Sequence, residues 1–313
     1  MADITELTVH RLNPMVDPGL HVWGWEIPVY LFLGGLVAGL MILTGVFLLR
    51  RRQARPRASW SLLSGLGIAL LSLGMLALFL DLEHKAYVWR LYTTFQITSP
   101  MSWGAWILLL VYPALLASFL LRVPAALRRL FPVLQRASGW LRGRPGLVRW
   151  VAMLDVVFGT LLGIYTGILL SSLGARPLWN SALLGPLFLV SGLSSAAAFA
   201  HLVSRDHEES TLLVRADNGF LAAELVLFVL FFVGLLSATQ VHIQAARLLL
   251  GGPFTAVFWV FVVGVGIVLP LALQLLAVRR RIAHTALAPV LVIAGGLALR
   301  FVLVYAGQMS HWR

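Results

Sequence analysis

Long apolar runs separated by short polar intervals organise the chain. A helix needs about 20 apolar residues to cross the hydrocarbon core of a bilayer. Eight such runs occur, over 27–49, 59–80, 101–121, 150–173, 181–204, 217–239, 254–278 and 286–306. The pattern predicts an all-α integral membrane protein with eight transmembrane helices. Residues 1–26 form a polar N-terminal segment, 27–306 the membrane domain and 307–313 a short tail. The loops at 50–58, 122–149, 205–216 and 279–285 carry runs of arginine. The longest, 122–149, is punctuated by Pro124, Pro132 and Pro145 and has room for an amphipathic surface helix at 125–137. No soluble domain, low-complexity segment or internal repeat is evident.

Composition agrees with the pattern. Hydrophobic residues make up 60% of the chain and charged residues 12%, against about 45–50% and 25% in soluble domains. There is no cysteine, so this protein alone holds no disulfide, thiolate metal site or iron–sulfur cluster. The first twenty residues are polar and acidic, without the apolar core of a signal peptide, so the first apolar run is expected to stay in the membrane.

The net charge of +12 is a matter of sidedness. Seventeen of the 24 basic residues fall on one face, after the first, third, fifth and seventh runs. By the positive-inside rule that face is cytoplasmic and both termini lie outside, which is periplasmic in a bacterial inner membrane. The arginines come as loop runs, a topology signal with attraction to anionic lipid, and not as a nucleic-acid footprint.

Charges within spans are costly and mark candidate sites. Glu26 opens the first run beside Trp23, Trp25 and Tyr30; Asp81 closes the second. Tyr165 lies in the outer half of the fourth, and Arg300, Tyr305 and Gln308 in the outer part of the eighth. These groups gather at one side. A quinone headgroup wants hydrogen-bond donors for its carbonyls, aromatic walls and a nearby proton-carrying acid, and this side offers them. An aromatic belt with interfacial charges is the plainer reading. Asp155, His201 and Glu224 lie toward the inner side and are candidates for a proton path, although Asp155 also fits a helix cap and Glu224 a structural partner. Only His201 of eight histidines lies clearly inside a run, which disfavours a bis-histidine haem. In ITSPMSWGAW (97–106), Ser99 and Pro100 predict a capped helix start, with Trp103 and Trp106 on one face at the interface. Gly35/Gly39 and Gly163/Gly167 are spaced for close helix packing.

Several segments together resemble the NrfD-type membrane subunits, the family that includes the polysulfide reductase membrane subunit. They are GGLVAG (34–39), Asp81-Leu82, TSPMSWGAW (98–106), YTGILLS (165–171), RPLWN (176–180) with LFLVSG (187–192), and LRFVLVYAGQ (299–308). The resemblance implies two four-helix bundles, a menaquinone or ubiquinone site near the periplasmic surface, and no haem. It also implies a ferredoxin-like iron–sulfur subunit on the outer face and a molybdopterin catalytic subunit beyond it. The family's asparagine and histidine near the quinone fall here on Trp23 and Glu26, with His21 nearby as a replacement donor. Its tyrosine falls on Tyr165, and its carboxylate on Asp81, with Glu83 as the alternative. The resemblance thus implies a quinone site drawn from His21, Trp23, Glu26, Tyr30, Asp81, Tyr165 and Arg300, with Glu26, Asp81 and Tyr165 reactive. Two other readings stay open: a transporter or channel using buried carboxylates, and a plain membrane anchor.

Overall fold

The computed structural model describes residues 23–50, 58–204, 206–278 and 286–312. In chain order its helices are α1 (Glu26–Arg50), α2 (Ala58–Asp81), a 3-10 turn (Lys85–Tyr87), α3 (Arg90–Thr93), α4 (Pro100–Leu121), α5 (Ala125–Leu130), α6 (Pro132–Arg142), α7 (Pro145–Ser171), α8 (Leu184–Val203), α9 (His207–Leu236) and α10 (Gln240–Leu250). A π-helical stretch (Val257–Val268) then runs into α11 (Leu269–Val278), and α12 (Leu287–Met309) ends the fold. No strand occurs among the described residues. Eight helices there are long and apolar enough to cross a membrane: α1, α2, α4, α7, α8, α9, the π stretch with α11, and α12.

α1 is the central post. It packs against α2, α7, α8 and α12, and 72% of its most apolar window is buried, against 28% for α9. Glycine makes the close approach possible. A Cβ on Gly39 would meet the Gly192 carbonyl oxygen at 2.5 Å and the Ala196 methyl at 2.6 Å; one on Gly192 would meet the Gly35 carbonyl oxygen at 2.5 Å. The Gly167 backbone likewise lies directly on Leu184 and Gly185. In lipid, where apolar surface alone gives little drive for helices to associate, such close packing is what joins them. The outward faces of α2, α4, α9 and the π stretch carry exposed Leu73, Leu110, Val229 and Phe261, as surfaces turned to hydrocarbon should.

Hydrogen bonds and charges define two faces. On one, the Trp23 backbone exchanges hydrogen bonds with the Gln308 amide (3.0 and 3.1 Å), and Arg176 Nη1 donates to the Ser310 carbonyl (3.0 Å). The start of α1, the α7–α8 connection and the end of α12 therefore meet there. On the other, Arg142 Nε donates to the Leu121 carbonyl (2.6 Å), and Arg122 lies within electrostatic range of Asp155 and Glu209. That second face bears the arginines of 122–149.

Local details differ from the sequence pattern. α9 begins at His207, ten residues before the apolar run at 217, because Asp206 caps it by accepting from the Glu208 amide (2.9 Å). The expected surface helix at 125–137 is two helices, broken at Phe131 because Pro132 starts a new one. Ser99 makes no side-chain cap on α4. Ser102 instead ties the incoming loop, its hydroxyl accepting from Gln96 N (3.0 Å) and donating to Thr94 O (3.3 Å). The π stretch precedes Pro270, which lacks the amide that would bond the Gly266 carbonyl and whose ring crowds that oxygen. Widening the preceding turns relieves the conflict.

Gly39→Ala should destabilise the protein by about 1–3 kcal/mol, the usual range for overpacking, because neither the Gly192 backbone nor the Ala196 methyl can swing aside. Gly219→Ala, which adds a methyl with nothing within 4 Å, should leave thermal unfolding in detergent essentially unchanged. Comparing the two midpoints checks the packing.

Candidate functional site

Two polar clusters are built into the helices. The first lies at the end of the membrane domain opposite the arginine face. Glu26 begins α1 and Tyr30 follows one turn later, so both sit on one side of that helix. Asp81 ends α2 and lies within electrostatic range of Glu26. Tyr165, from α7, is buried, and its phenol lies directly on Gly104 of α4, in the space a Cβ would fill. Tyr30 is buried too, within electrostatic range of Tyr165 and of Tyr92 on α3. Burial, and then neighbouring Tyr112, hold the Tyr92 phenol above its ordinary 10. It therefore remains an O–H donor at neutral pH. The Tyr112 hydroxyl is 3.3 Å from that of Ser72. Two carboxylates and four phenols from α1, α2, α3, α4 and α7 thus share one region.

The aromatic stretch 97–106 forms its wall. Trp103 Nε1 donates to the Ile97 carbonyl (2.7 Å), and Trp106 meets Phe95 edge-on at 5.5 Å. Both tryptophans stay partly exposed, while Gly104 between them turns inward under Tyr165.

At the start of α1, the Glu26 carboxyl folds back over Gly24, and Trp23 stacks on Trp179 at 5.3 Å. Trp179 Nε1 donates to the Leu303 carbonyl (2.8 Å), and the indole fills the space beside Gly307. Trp23 with Gln308 and Trp179 thus pins the approach to α1 onto α12. His21 lies outside the described residues.

The second cluster lies deeper. Arg300, fully buried near the middle of α12, donates from Nη1 to Ser191 Oγ (2.5 Å) and to the Gly296 carbonyl (3.2 Å), and from Nη2 to the Phe188 carbonyl (3.0 Å). Its guanidinium also faces the Phe188 ring at 4.7 Å. Glu224 on α9 is hydrogen-bonded to the same Ser191 and lies within range of Arg300. Arg300 thus belongs with Glu224, not with the outer carboxylates. Two turns toward the arginine face along α9, Asp217 accepts from Ser194 Oγ (2.6 Å) and from Gln274 Nε2 on α11 (2.6 Å). Ser191 and Ser194 are one turn apart on α8 and present their hydroxyls to these two rungs. Between the rungs runs a narrow cleft lined by Ser191, Ser194, Ser195, Glu224, Gly266 and Gly295.

The remaining inner candidates lie apart from this ladder. Asp155, fully buried well inside α7, accepts from Ser118 on α4 and has Arg122 nearby. It is a buried partner, not a helix cap. The His201 ring nitrogen Nδ1 is 2.9 Å from Ser210 Oγ at the α8–α9 turn. Sequence reasoning overlooked Asp217, Gln274, Tyr92 and Tyr112. The signal available was the seven-residue spacing of Asp217 and Glu224, which places them on one helix face.

These features define an all-helical, multi-pass membrane protein with charged clusters inside its helix packing. The family model described as "Polysulphide reductase, NrfD" matches residues 14–311. The protein is 35% identical to Protein NrfD of Escherichia coli strain K12, over 92% of its own length and 96% of that relative's. It is 30% identical to a polysulfide reductase chain of Wolinella succinogenes, over 92% and 94%. It is 26% identical to a selenate reductase subunit of Mesobacillus selenatarsenatis, over 92% and 74%. The protein belongs to the NrfD/polysulphide reductase family.

Asp217→Leu should cost about 1–3 kcal/mol, because the buried Ser194 hydroxyl and Gln274 amide lose their acceptor. Asp217→Asn, which keeps one acceptor oxygen, should cost less. Thermal unfolding of the detergent-solubilised variants measures the difference.

Proposed function

We propose that this protein is the quinone-reactive membrane subunit of a respiratory oxidoreductase complex in a bacterial inner membrane. Family membership supports the role, as do the names of its relatives, which include components of a polysulfide reductase and of a selenate reductase. The observation that carries the quinone assignment is the Tyr165 phenol held on Gly104, next to Tyr30 and on the same face as Glu26 and Asp81. Gly104 leaves the phenol a defined seat.

The residue types fit a quinone headgroup. Phenol O–H groups of Tyr165 and Tyr92 are donors for its carbonyls, the aromatic stretch 97–106 provides apolar walls, and Glu26 and Asp81 can exchange protons. Tyr30 is a further donor from the floor. Bound here, menaquinone or ubiquinone would supply two-electron, two-proton chemistry. In that role Glu26 and Asp81, within electrostatic range of one another, would take up or release the protons that quinone chemistry requires. His21 and Trp23 remain part of the proposed rim.

The electrons would pass to or from a ferredoxin-like iron–sulfur subunit seated on the face that holds Glu26, with a molybdopterin catalytic subunit beyond it. That face would be periplasmic and the arginine face cytoplasmic, as the positive-inside rule requires. We also read the spans as two four-helix groups, α1, α2, α4 and α7 beside α8, α9, the π stretch with α11, and α12. The packing of these neighbours supports that grouping.

The ladder of Asp217, Ser194, Ser191, Glu224 and Arg300 favours an additional proton route from the arginine face. It supplies titratable and hydroxyl groups from one helix turn to the next, where a simple anchor would need none. Asp155 and His201 would lie toward its inner approach.

In the intact complex, Tyr165→Phe and Glu26→Gln should each cut quinone-coupled turnover about a hundredfold or more, the usual scale for losing a positioned proton donor or acceptor. Reduction of artificial dyes by the catalytic partner should persist. Unchanged quinone turnover in both variants would remove this site from consideration. Glu224→Gln should leave quinone turnover measurable while lowering the protons moved per electron, read from pH changes in proteoliposomes. An unaltered ratio would confine the ladder to a structural role.

A further inference from the structure

The connection between α4 and α7 carries six arginines from Arg122 to Arg144, with Arg149 following in the first turns of α7, and the sequence has no acidic residue between Arg122 and Asp155. Folding brings some of these like charges together. Arg142 is held below its ordinary guanidinium range first by burial and then by Arg128. Arg122 is lowered to about 10, chiefly by burial, with Arg142 adding to the effect and Asp155 and Glu209 opposing it. Arg122 thus has two acids of the protein within reach, and Arg142 Nε has the Leu121 carbonyl. Arg128 is half-buried, and its Nε has no hydrogen-bond acceptor among the described residues. With like charges around it and no acid in its own stretch of sequence, an anion from outside the protein is a natural partner.

The surroundings indicate which anion. Leu130, Phe131, Val133 and Trp140 are 71%, 55%, 72% and 54% exposed on the same two helices and the break between them. Such apolar surface is stable when it dips into the acyl boundary. Arg144 sits over the Trp140 ring at 4.1 Å, an arrangement that places a guanidinium at headgroup depth beside an interfacial tryptophan. An acidic soluble partner would match the charge and leave these side chains in water. An anionic phospholipid satisfies both, with phosphate at the arginines and acyl chains along Val133 and Trp140.

We propose that the α5–α6 elbow binds the phosphodiester headgroup of an anionic phospholipid in the leaflet at the arginine face, with Arg128 and Arg144 as its principal contacts. The site does not depend on the redox reading. It ties α5 and α6, which pack mainly on each other and on the ends of α4 and α7, to the membrane surface.

Native mass spectrometry of the purified protein, equilibrated with mixed phosphatidylglycerol and phosphatidylcholine micelles, tests this. The wild type should retain phosphatidylglycerol preferentially. Arg128→Gln combined with Arg144→Gln should reduce that retention about thirtyfold, at about 1 kcal/mol per arginine. Arg247→Gln, an exposed arginine on α10 at the other face, should not change it. Equal retention of the two lipids by the wild type would overturn the proposal, as would unchanged retention in the double variant. Displacement of the lipid by millimolar inorganic phosphate alone would assign the site to free anions and overturn the lipid. Should the double variant not fold, the wild type decides. Its melting temperature should rise in phosphatidylglycerol over phosphatidylcholine, and about 0.5 M salt should abolish the gain by screening. A lipid-independent melting temperature would refute the site.

Discussion

A guanidinium with no exposed surface at the middle of a membrane helix must find all its partners inside the protein. Arg300 is that group, and much of the fold is arranged around its needs. An unpaired charge at this depth costs at least ~2.5 kcal/mol on insertion scales. Ser191, the Gly296 and Phe188 carbonyls and the Phe188 ring surround it, with Glu224 near enough to balance its charge. Those partners come from α8, α9 and α12, so one side chain fixes the relative depth of three helices. The fourth side is closed by α1, where Gly35 leaves room for the guanidinium: a Cβ there would lie 3.2 Å from Nη2. The glycines that draw α1 onto α8 therefore also seal the charge from lipid.

α1 serves the outer cluster as well. Tyr30 and Gly35 are five residues apart, about 7.5 Å along a helix axis, so one rigid segment borders both the carboxylate–phenol cluster and the buried arginine. The outer cluster is partly open: Glu26, Asp81 and Tyr92 keep some exposure while Tyr30 and Tyr165 are buried. Exposure thus falls from the carboxylates to the phenols and vanishes at Arg300. This gradient suits a site that admits a lipid-soluble molecule from the side and keeps water from the interior.

The spans were legible because apolar length dominates every other signal in a membrane helix. Family motifs pointed to Tyr165 and Asp81, and the structure brings the former to Tyr30 and the latter to Glu26. The depth of Arg300 was misread, since hydropathy places a residue along a span and says little about which neighbour it faces. Asp217 was missed because it stood at the edge of an apolar run, where an acid looks like a loop residue. α9 in fact continues ten residues further, and Asp206 supplies the cap. Trp23 was placed by its position beside Glu26, and the fold adds that its ring stacks on Trp179. Only tertiary packing chooses between two aromatic neighbours at similar sequence distance.

The two clusters differ in how freely their groups can change charge. At the outer cluster, carboxylates with partial exposure can exchange protons without moving the backbone. In the ladder, Asp217 is held by two donors and Glu224 by Ser191 with Arg300 nearby, and the cleft between them is nowhere wide enough for a resident water. Proton passage along the route proposed above would require side-chain rotation or a small separation of helices. The π stretch beside the cleft is where such separation meets least resistance. Its widened turns have a poorer hydrogen-bond register than an α-helix, and Gly266 meets Gly295 of α12 with no side chain between them. At that point the contact has no interlocking side chains to withdraw, while around it Phe258, Val262 and Ile267 pack in one core with Val292, Leu299 and Val302 and would shift with it. Arg300 on α12 would move with that shift, and its bond to Ser191, the hydroxyl it shares with Glu224, is the first that the motion would lengthen.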